Sequence, residues 1–400
     1  MKDSTSDTVY SLITFLAFLT ISIELDIDIY NSLNLSITNL CNNILFIFRS
    51  KLSMLGPFII DIESTKLSEE DIDVLSHPLI GGVILFSRNF ESKNNLVDLI
   101  IKIKRIKDPS LIIFVDHEGG DVQRFKKEFT QLPPASILGK NYNFNTAKSI
   151  DMAYKFGWLS AYELTEIGID VNNHPVLDID YKTSDVMKNR CFADNLEAIN
   201  KLTESYIKGS SNFGLSLICK HFPGHGYVKP DTHKSVAVDN RQIKTIFEND
   251  IQAFINAIEN KIQGVMMSHV IYKKFDILPS SLSPKWNKFL REEIRFNGIV
   301  IADDLSMRGL DEYGDIIEKV NLFTKSGIDC AFVCNDRNSV IKILDNMMCK
   351  PDKYLEEKLI TLKLTKQEEN QYDKFKRNDI IKEILDFNNL LQNEIDLKYD

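Results

Sequence analysis

Lys220, His221, His225, Asp231 and His233 fall within fourteen residues, in the stretch Lys220-His221-Phe222-Pro223-Gly224-His225-Gly226 that runs through Tyr227-Val228-Lys229-Pro230 to Asp231-Thr232-His233. One ammonium, three imidazoles and a carboxylate so close together can move a proton near neutral pH. The apolar run Leu215 to Cys219 precedes them, so the stretch reads as a buried strand that ends and releases its chain into a loop. Gly224 and Gly226 let that loop turn tightly or act as a hinge. Ionisable and polar groups follow other apolar runs too: Asp61 and Glu63, Ser87-Arg88-Asn89, Asp116-His117-Glu118-Gly119-Gly120, His174 and Asp178, Ser268-His269, Asp303-Asp304, and Cys334-Asn335-Asp336. A lone histidine at a strand end is more often a hydrogen-bonded structural group than a catalyst. Ionisable groups at nearly every strand end are another matter, because burying them without partners is costly, and together they indicate an active site. A binuclear metal centre fits poorly. Such barrels usually place His-x-His after the first strand, where this chain has Asp61-Ile62-Glu63, and His221, His225 and His233 lack the i, i+4 helical spacing of a zinc pair. No metal and no cofactor are expected.

The elements that must position these groups form one repeating theme: a helical pattern, a glycine, then a short β-rich run. The runs are Pro57 to Ile62, Gly82 to Phe86, Leu111 to Val115, Ile167 to Val171, Leu215 to Cys219, Gly264 to Met267, Gly298 to Ile301 and Ile328 to Val333. Between them, Leu96, Ile100 and Ile103, and Ile243, Ile246, Phe247 and Phe254, keep helical spacing, and Ser283-Pro284 reads as an N-cap followed by N1. Gly168, Gly214, Gly298 and Gly327 fall where helices should stop. Eight βα units, with no GxGxxG after the first strand, predict a (β/α)8 TIM barrel of α/β class, with its chemistry at the C-terminal mouth of the strands.

A chain of 400 residues, 44% hydrophobic, can bury a large core. A net charge of −9 and a pI near 5.4 give no basic footprint, so nucleic acid is not an expected partner. Six cysteines without CxxC pairs fit a reduced, cytoplasmic setting. Residues 1–53 differ in character. Val9 to Leu25 is an apolar run of about seventeen residues, near the lower limit for a membrane span. Asp3 and Asp7 precede it, only Lys2 is basic there, and Ser11, Thr14, Thr20 and Ser22 dilute it, which makes a poor signal or anchor. The expectation is a weakly ordered or non-native extension over 1–53, a barrel domain over 54–348, and a charged helical tail over 349–400 packed on the barrel, with no membrane association.

Three long motifs, Lys220 to Gly226 with Asp231-Thr232-His233, Asp116 to Phe125, and Ile301-Ala302-Asp303-Asp304-Leu305-Ser306-Met307, closely resemble the β-N-acetylglucosaminidases of glycoside hydrolase family 3. His77 to Gly82 and Ser268 to Tyr272 add to the resemblance, which covers Gly56 to about Met348, with the motifs in the family's order. It implies a retaining β-N-acetylhexosaminidase that releases terminal β-linked N-acetylglucosamine. In the family's bacterial cytoplasmic branch the substrate is a peptidoglycan fragment, N-acetylglucosamine linked to anhydro-N-acetylmuramic acid, with or without peptide. By position the resemblance assigns Asp303 as nucleophile, His233 as acid/base and Asp231 as the group that orients it. Asp116, Arg124, Arg190, Lys220, His221 and His269 become the substrate-binding set. A histidine acid departs from the two-carboxylate pattern of retaining glycosidases, and its ordinary pKa already lies near working pH.

Against the family pattern this chain has Thr232 for Ser, Ala302 for Ser and His117 for Gln, and His117 is expected to alter the polarity of the pocket. The stretch after Asp345 is too short for the second domain that supplies a glutamate in the β-glucosidase branch. The resemblance leaves two other readings open, a phosphorylase using phosphate in place of water, and a glycan-binding protein without turnover. Composition does not choose between Asp303 and Asp304. A monomer with a small sugar substrate is expected.

Overall fold

The computed structural model describes residues 54–184, 186–232, 235–347, 352–364 and 371–396. The expectations for residues 1–53, for His233 and for the boundary at 348/349 lie outside the described residues.

The eight apolar runs give a closed barrel of parallel strands: β1 (Phe58–Ile60), β2 (Ile80–Leu85), β3 (Ile112–Val115), β4 (Val171–Asn172), β5 (Ser216–Phe222), β6 (Gly264–Met267), β7 (Ile299–Ala302) and β8 (Cys330–Val333). Each strand pairs with its sequence neighbours, and β8 closes on β1 through Phe58↔Ala331. The strands are buried along their whole length, which is why they read as continuous apolar runs and not as alternating ones. Their inward side chains, among them Phe114 and Phe332 with ring centroids 5.7 Å apart, fill the interior.

Helices stop and start as their residues dictate. The Ser283 side chain accepts from the Trp286 N–H at 3.0 Å, with Pro284 in the first helical turn. Gly214 (φ 69°) and Gly327 (φ 71°) end helical segments in the left-handed conformation. Gly298 serves differently: a Cβ there would lie 2.4 Å from the Gln263 carbonyl, so it is a close-packing glycine. The fourth strand sits later than the run Ile167 to Val171 suggests. The helix Thr146–Glu166 runs up to Ile167, and Gly168 (φ 90°) then turns the chain before Val171 can pair with Phe114.

Two further helices, Lys353–Ile360 and Gln371–Asp396, follow the barrel. Lys358 reaches Asp329 at 3.1 Å, and Ile380, Ile384 and Phe387 are buried. Arg377 meets Glu163 at 2.5 Å and Lys155 pairs with Glu383, which ties the last helix to Thr146–Glu166. Among the described residues no helix is long and apolar enough to cross a membrane.

Candidate active site

The fifth strand continues to Phe222, three residues beyond the apolar run, with a register shift between Cys219 and Phe222 against β6. Lys220 and His221 therefore stand on the strand and not in the loop after it. The polarity of their side chains hid this, because barrel strands end at a mouth that holds charge. They face a pocket of about 200 Å³ at the C-terminal mouth, which Asp116, Glu118, Arg124, Arg190, Asp303 and Asp304 also line, over an apolar floor that includes Ile84, Met266 and Phe332.

Buried charges need partners, and these supply one another. Lys220 Nζ lies 3.0 Å from Asp116 Oδ1 and 2.7 Å from Glu118 Oε1. Arg190 donates a fork to Glu118, Nε to Oε2 at 2.9 Å and Nη2 to Oε1 at 2.8 Å. Arg124 donates to Asp116 Oδ2 at 2.9 Å, and its guanidinium lies 5.2 Å from the Phe86 ring centroid. Burial alone would push the Asp116 carboxyl up, but Lys220 and Arg124 hold it well below the usual carboxylate range. Burial opposes ionisation of Glu118 too, and Arg190 with Lys220 overrides it. Both stay ionised at neutral pH, as acceptors only.

The next elements fix the histidines. His221 Nδ1 lies 2.7 Å from Asp178 Oδ2; a carboxylate only accepts, so Nδ1 carries the proton. The Asp178 carboxyl, which burial would push up, is lowered chiefly by His221. Its Oδ1 accepts the His225 backbone N–H at 2.6 Å. His225 is buried, with Nε2 3.2 Å from Thr232 Oγ1; burial, with His221 nearby, lowers its pKa to about 4. The glycines of this loop are packed. A Cβ on Gly226 would lie 1.9 Å from the Ile179 carbonyl, and one on Gly224 (φ 140°) 2.7 Å from Asp250. The hinge expected at these positions gives way to close contact. At the loop's base Arg241 donates to Asp239 and Asp250, with its guanidinium 4.4 Å from the Tyr227 ring centroid and 4.8 Å from that of Tyr181.

The adjacent carboxylates after β7 differ. Asp304 Oδ1 accepts the N–H groups of Ser306 and Cys334, each at 3.0 Å, and the Ser306 hydroxyl lies 2.8 Å from the same carboxylate. Burial nevertheless raises Asp304 to about 6. Asp303 accepts the Asp304 N–H on Oδ1 at 2.9 Å, and its own N–H is bonded to the Met267 carbonyl.

Asp116, Arg124, Arg190, Lys220, His221 and Asp303 are thus brought together at one pocket. His269 is not among the residues lining it. The His269 Nε2 donates to the Asp304 carbonyl at 2.8 Å and Nδ1 lies 2.6 Å from Ser281 Oγ, so His269 braces the turn that carries the two aspartates. His117 also departs from expectation. Its imidazole is buried beside Phe125 and Phe129, with centroids 6.3 and 6.2 Å away, and it does not line the pocket. The half-buried Asp231 accepts the Ser235 N–H on its carbonyl. His233 lies outside the described residues. Sequence reasoning named Glu118 and Asp178 among the polar strand-end residues but left both out of the substrate-binding set. Glu118 adjoins the motif's Asp116 at the alternate position, which was a usable signal; Asp178 lies 43 residues before His221, and only the fold joins them.

The family model that matches this chain, the glycosyl hydrolase family 3 N terminal domain, spans residues 48–368. A β-hexosaminidase of Methylobacillus flagellatus is 42% identical over 294 residues, 73% of this chain and 84% of its own length. One from Hydrogenovibrio crunogenus is 42% identical over 294 residues, 73% of this chain and 82% of its own. The crystal structure of NagZ from Neisseria gonorrhoeae in complex with N-trifluoroacetyl-D-glucosamine shares 32% identity and superposes with a TM-score of 0.78, over 83% of this chain and 99% of that one. The chain belongs to glycosyl hydrolase family 3. Within that family it is a glycoside hydrolase of the β-N-acetylhexosaminidase kind.

Proposed function

We propose that this enzyme removes terminal, non-reducing β-linked N-acetylglucosamine from peptidoglycan fragments, the disaccharide with anhydro-N-acetylmuramic acid with or without its peptide. It does so as a cytoplasmic monomer in cell-wall recycling. The reaction retains configuration. Asp303 attacks the anomeric carbon to form a glycosyl ester while His233, oriented by Asp231, protonates the leaving oxygen. His233 then deprotonates the water that opens the ester. The observation that carries this reading is one pocket at the strand ends that Asp303 and Asp304 line together with Asp116 and Lys220; the Asp304 carboxylate is fixed to the Ser306 and Cys334 N–H groups, which favours Asp303 as the attacking group. A pocket of about 200 Å³ suits a single sugar unit, as cleavage from a chain end requires. Asp116, held ionised by Lys220 and Arg124, accepts hydrogen bonds from sugar hydroxyls, and the NagZ complex with an N-acylated glucosamine supports an acetamido sugar here.

The test is turnover of 4-nitrophenyl N-acetyl-β-D-glucosaminide beside the glucoside and galactoside analogues, with and without phosphate, followed by trapping with a 5-fluoro glycosyl donor. Preference for the acetamido sugar, no phosphate dependence and a label on Asp303 are expected, and Asp303→Ala should abolish turnover while sugar still binds. A label on Asp304 would reverse the choice. Phosphate-dependent release of a sugar 1-phosphate would make the enzyme a phosphorylase, and binding without turnover would make it a glycan-binding protein.

A further inference from the structure

Thr232 is one peptide bond from His233, and its backbone rests on a residue far away in sequence. The Thr232 carbonyl accepts the Gly309 N–H at 2.9 Å. A Cβ built on Gly309 would lie 2.6 Å from that carbonyl oxygen and 3.3 Å from the Ser235 oxygen, so the backbone on both sides of His233 leans on a bare Cα. Gly309 lies in the turn Arg308–Tyr313, six residues after Asp303 on the same loop. Its φ is not in the left-handed region, so alanine could adopt its backbone conformation; the position excludes a side chain because the Thr232 carbonyl, and behind it the Ser235 oxygen, are there. The root of the His233 loop is fastened separately. Tyr227 stacks on Arg241, and Ala237–Asp239 pairs with Val270–Tyr272. A wedge at Gly309 therefore displaces the tip without releasing the base.

We propose that Gly309 is a positioning residue for proton transfer: its N–H and its missing side chain set the separation between the loop that carries Asp231 and His233 and the loop that carries Asp303. This rests on the reading of His233 as acid/base. A leaving alkoxide needs the proton, whereas nitrophenolate departs with little help, so a displaced tip penalises the two substrates unequally. A residue that only stabilised the fold would change both rates alike.

The experiment compares kcat/KM of Gly309→Ala and His233→Ala on the N-acetylglucosamine–anhydro-N-acetylmuramic acid disaccharide and on the nitrophenyl glycoside. For Gly309→Ala a loss of about tenfold or more on the disaccharide and under about threefold on the nitrophenyl substrate is expected. The ratio of the two values, taken on one sample, cancels any inactive fraction. Equal losses, or none, in Gly309→Ala while His233→Ala shows the contrast would overturn the role of Gly309 and leave His233 standing. Absence of the contrast in His233→Ala overturns the acid reading itself, and the proposal with it. Thr232→Val keeps the carbonyl on Gly309 but frees the side chain from His225. A ratio near wild type supports the proposal even if Gly309→Ala yields no folded protein, and a contrast matching His233→Ala assigns the tether to His225 instead.

Discussion

His117 carries an imidazole into an aromatic wall where neither ring nitrogen finds a hydrogen-bond partner among the described residues. Burial, with the Arg124 charge nearby, lowers its pKa to about 3. An unfolded histidine titrates near 6.5, so between these values the unfolded chain binds a proton that the folded one refuses. The stabilising contribution is therefore complete above about pH 6.5 and is lost as pH falls toward 3. His117→Leu should remove this liability: relative to wild type it should gain about 2 kcal/mol in unfolding free energy on going from pH 7.5 to pH 5. Urea unfolding at the two pH values measures it, and an equal difference at both would show that the ring is not buried neutral. The sequence marked His117 as unusual but put it in the pocket. Adjacent residues on an extended segment point to opposite sides, so Asp116 and Glu118 share the pocket while His117 turns to Phe125 and Phe129. The same alternation would have added Glu118 to the binding set.

The strands of the barrel were legible because a doubly covered parallel strand must be apolar throughout, and helix spacing between them follows from the same burial. The places where polar residues continue a strand were not legible. Lys220 and His221 extend β5 because their side chains find Asp116, Glu118 and Asp178 once the barrel has closed, and no local pattern announces partners that distant. Glycines were ambiguous for a related reason. Gly226 looks like freedom in a sequence, yet in the fold it is contact, with the Ile179 carbonyl where a methyl group would go. Gly226→Ala should therefore cost at least about 1–3 kcal/mol of stability, as overpacking does, and lower the thermal midpoint together with activity on every substrate. A midpoint within a degree of wild type would restore the hinge reading.

At the scale of the whole chain, the repeating pattern begins near Met54 and the family match begins at residue 48, so the activity should reside in the barrel and the helices after it. We propose that a chain starting at Met54 folds and keeps its rate within about tenfold, roughly 1.4 kcal/mol of transition-state stabilisation. Nitrophenyl glycoside turnover by the shortened protein measures it, and a larger loss would make the first 53 residues part of the enzyme. The other end is woven in more deeply. Glu163 receives the Thr130 N–H at 2.9 Å and hydroxyl at 2.8 Å, and the Thr130 carbonyl accepts from Gln123 in the motif that begins at Asp116. The cation facing Glu163 is Arg377, on the last helix. Arg377 comes later in the chain than all eight strands, so the support beneath the third-strand loop is completed by a helix that lies outside the repeating βα pattern.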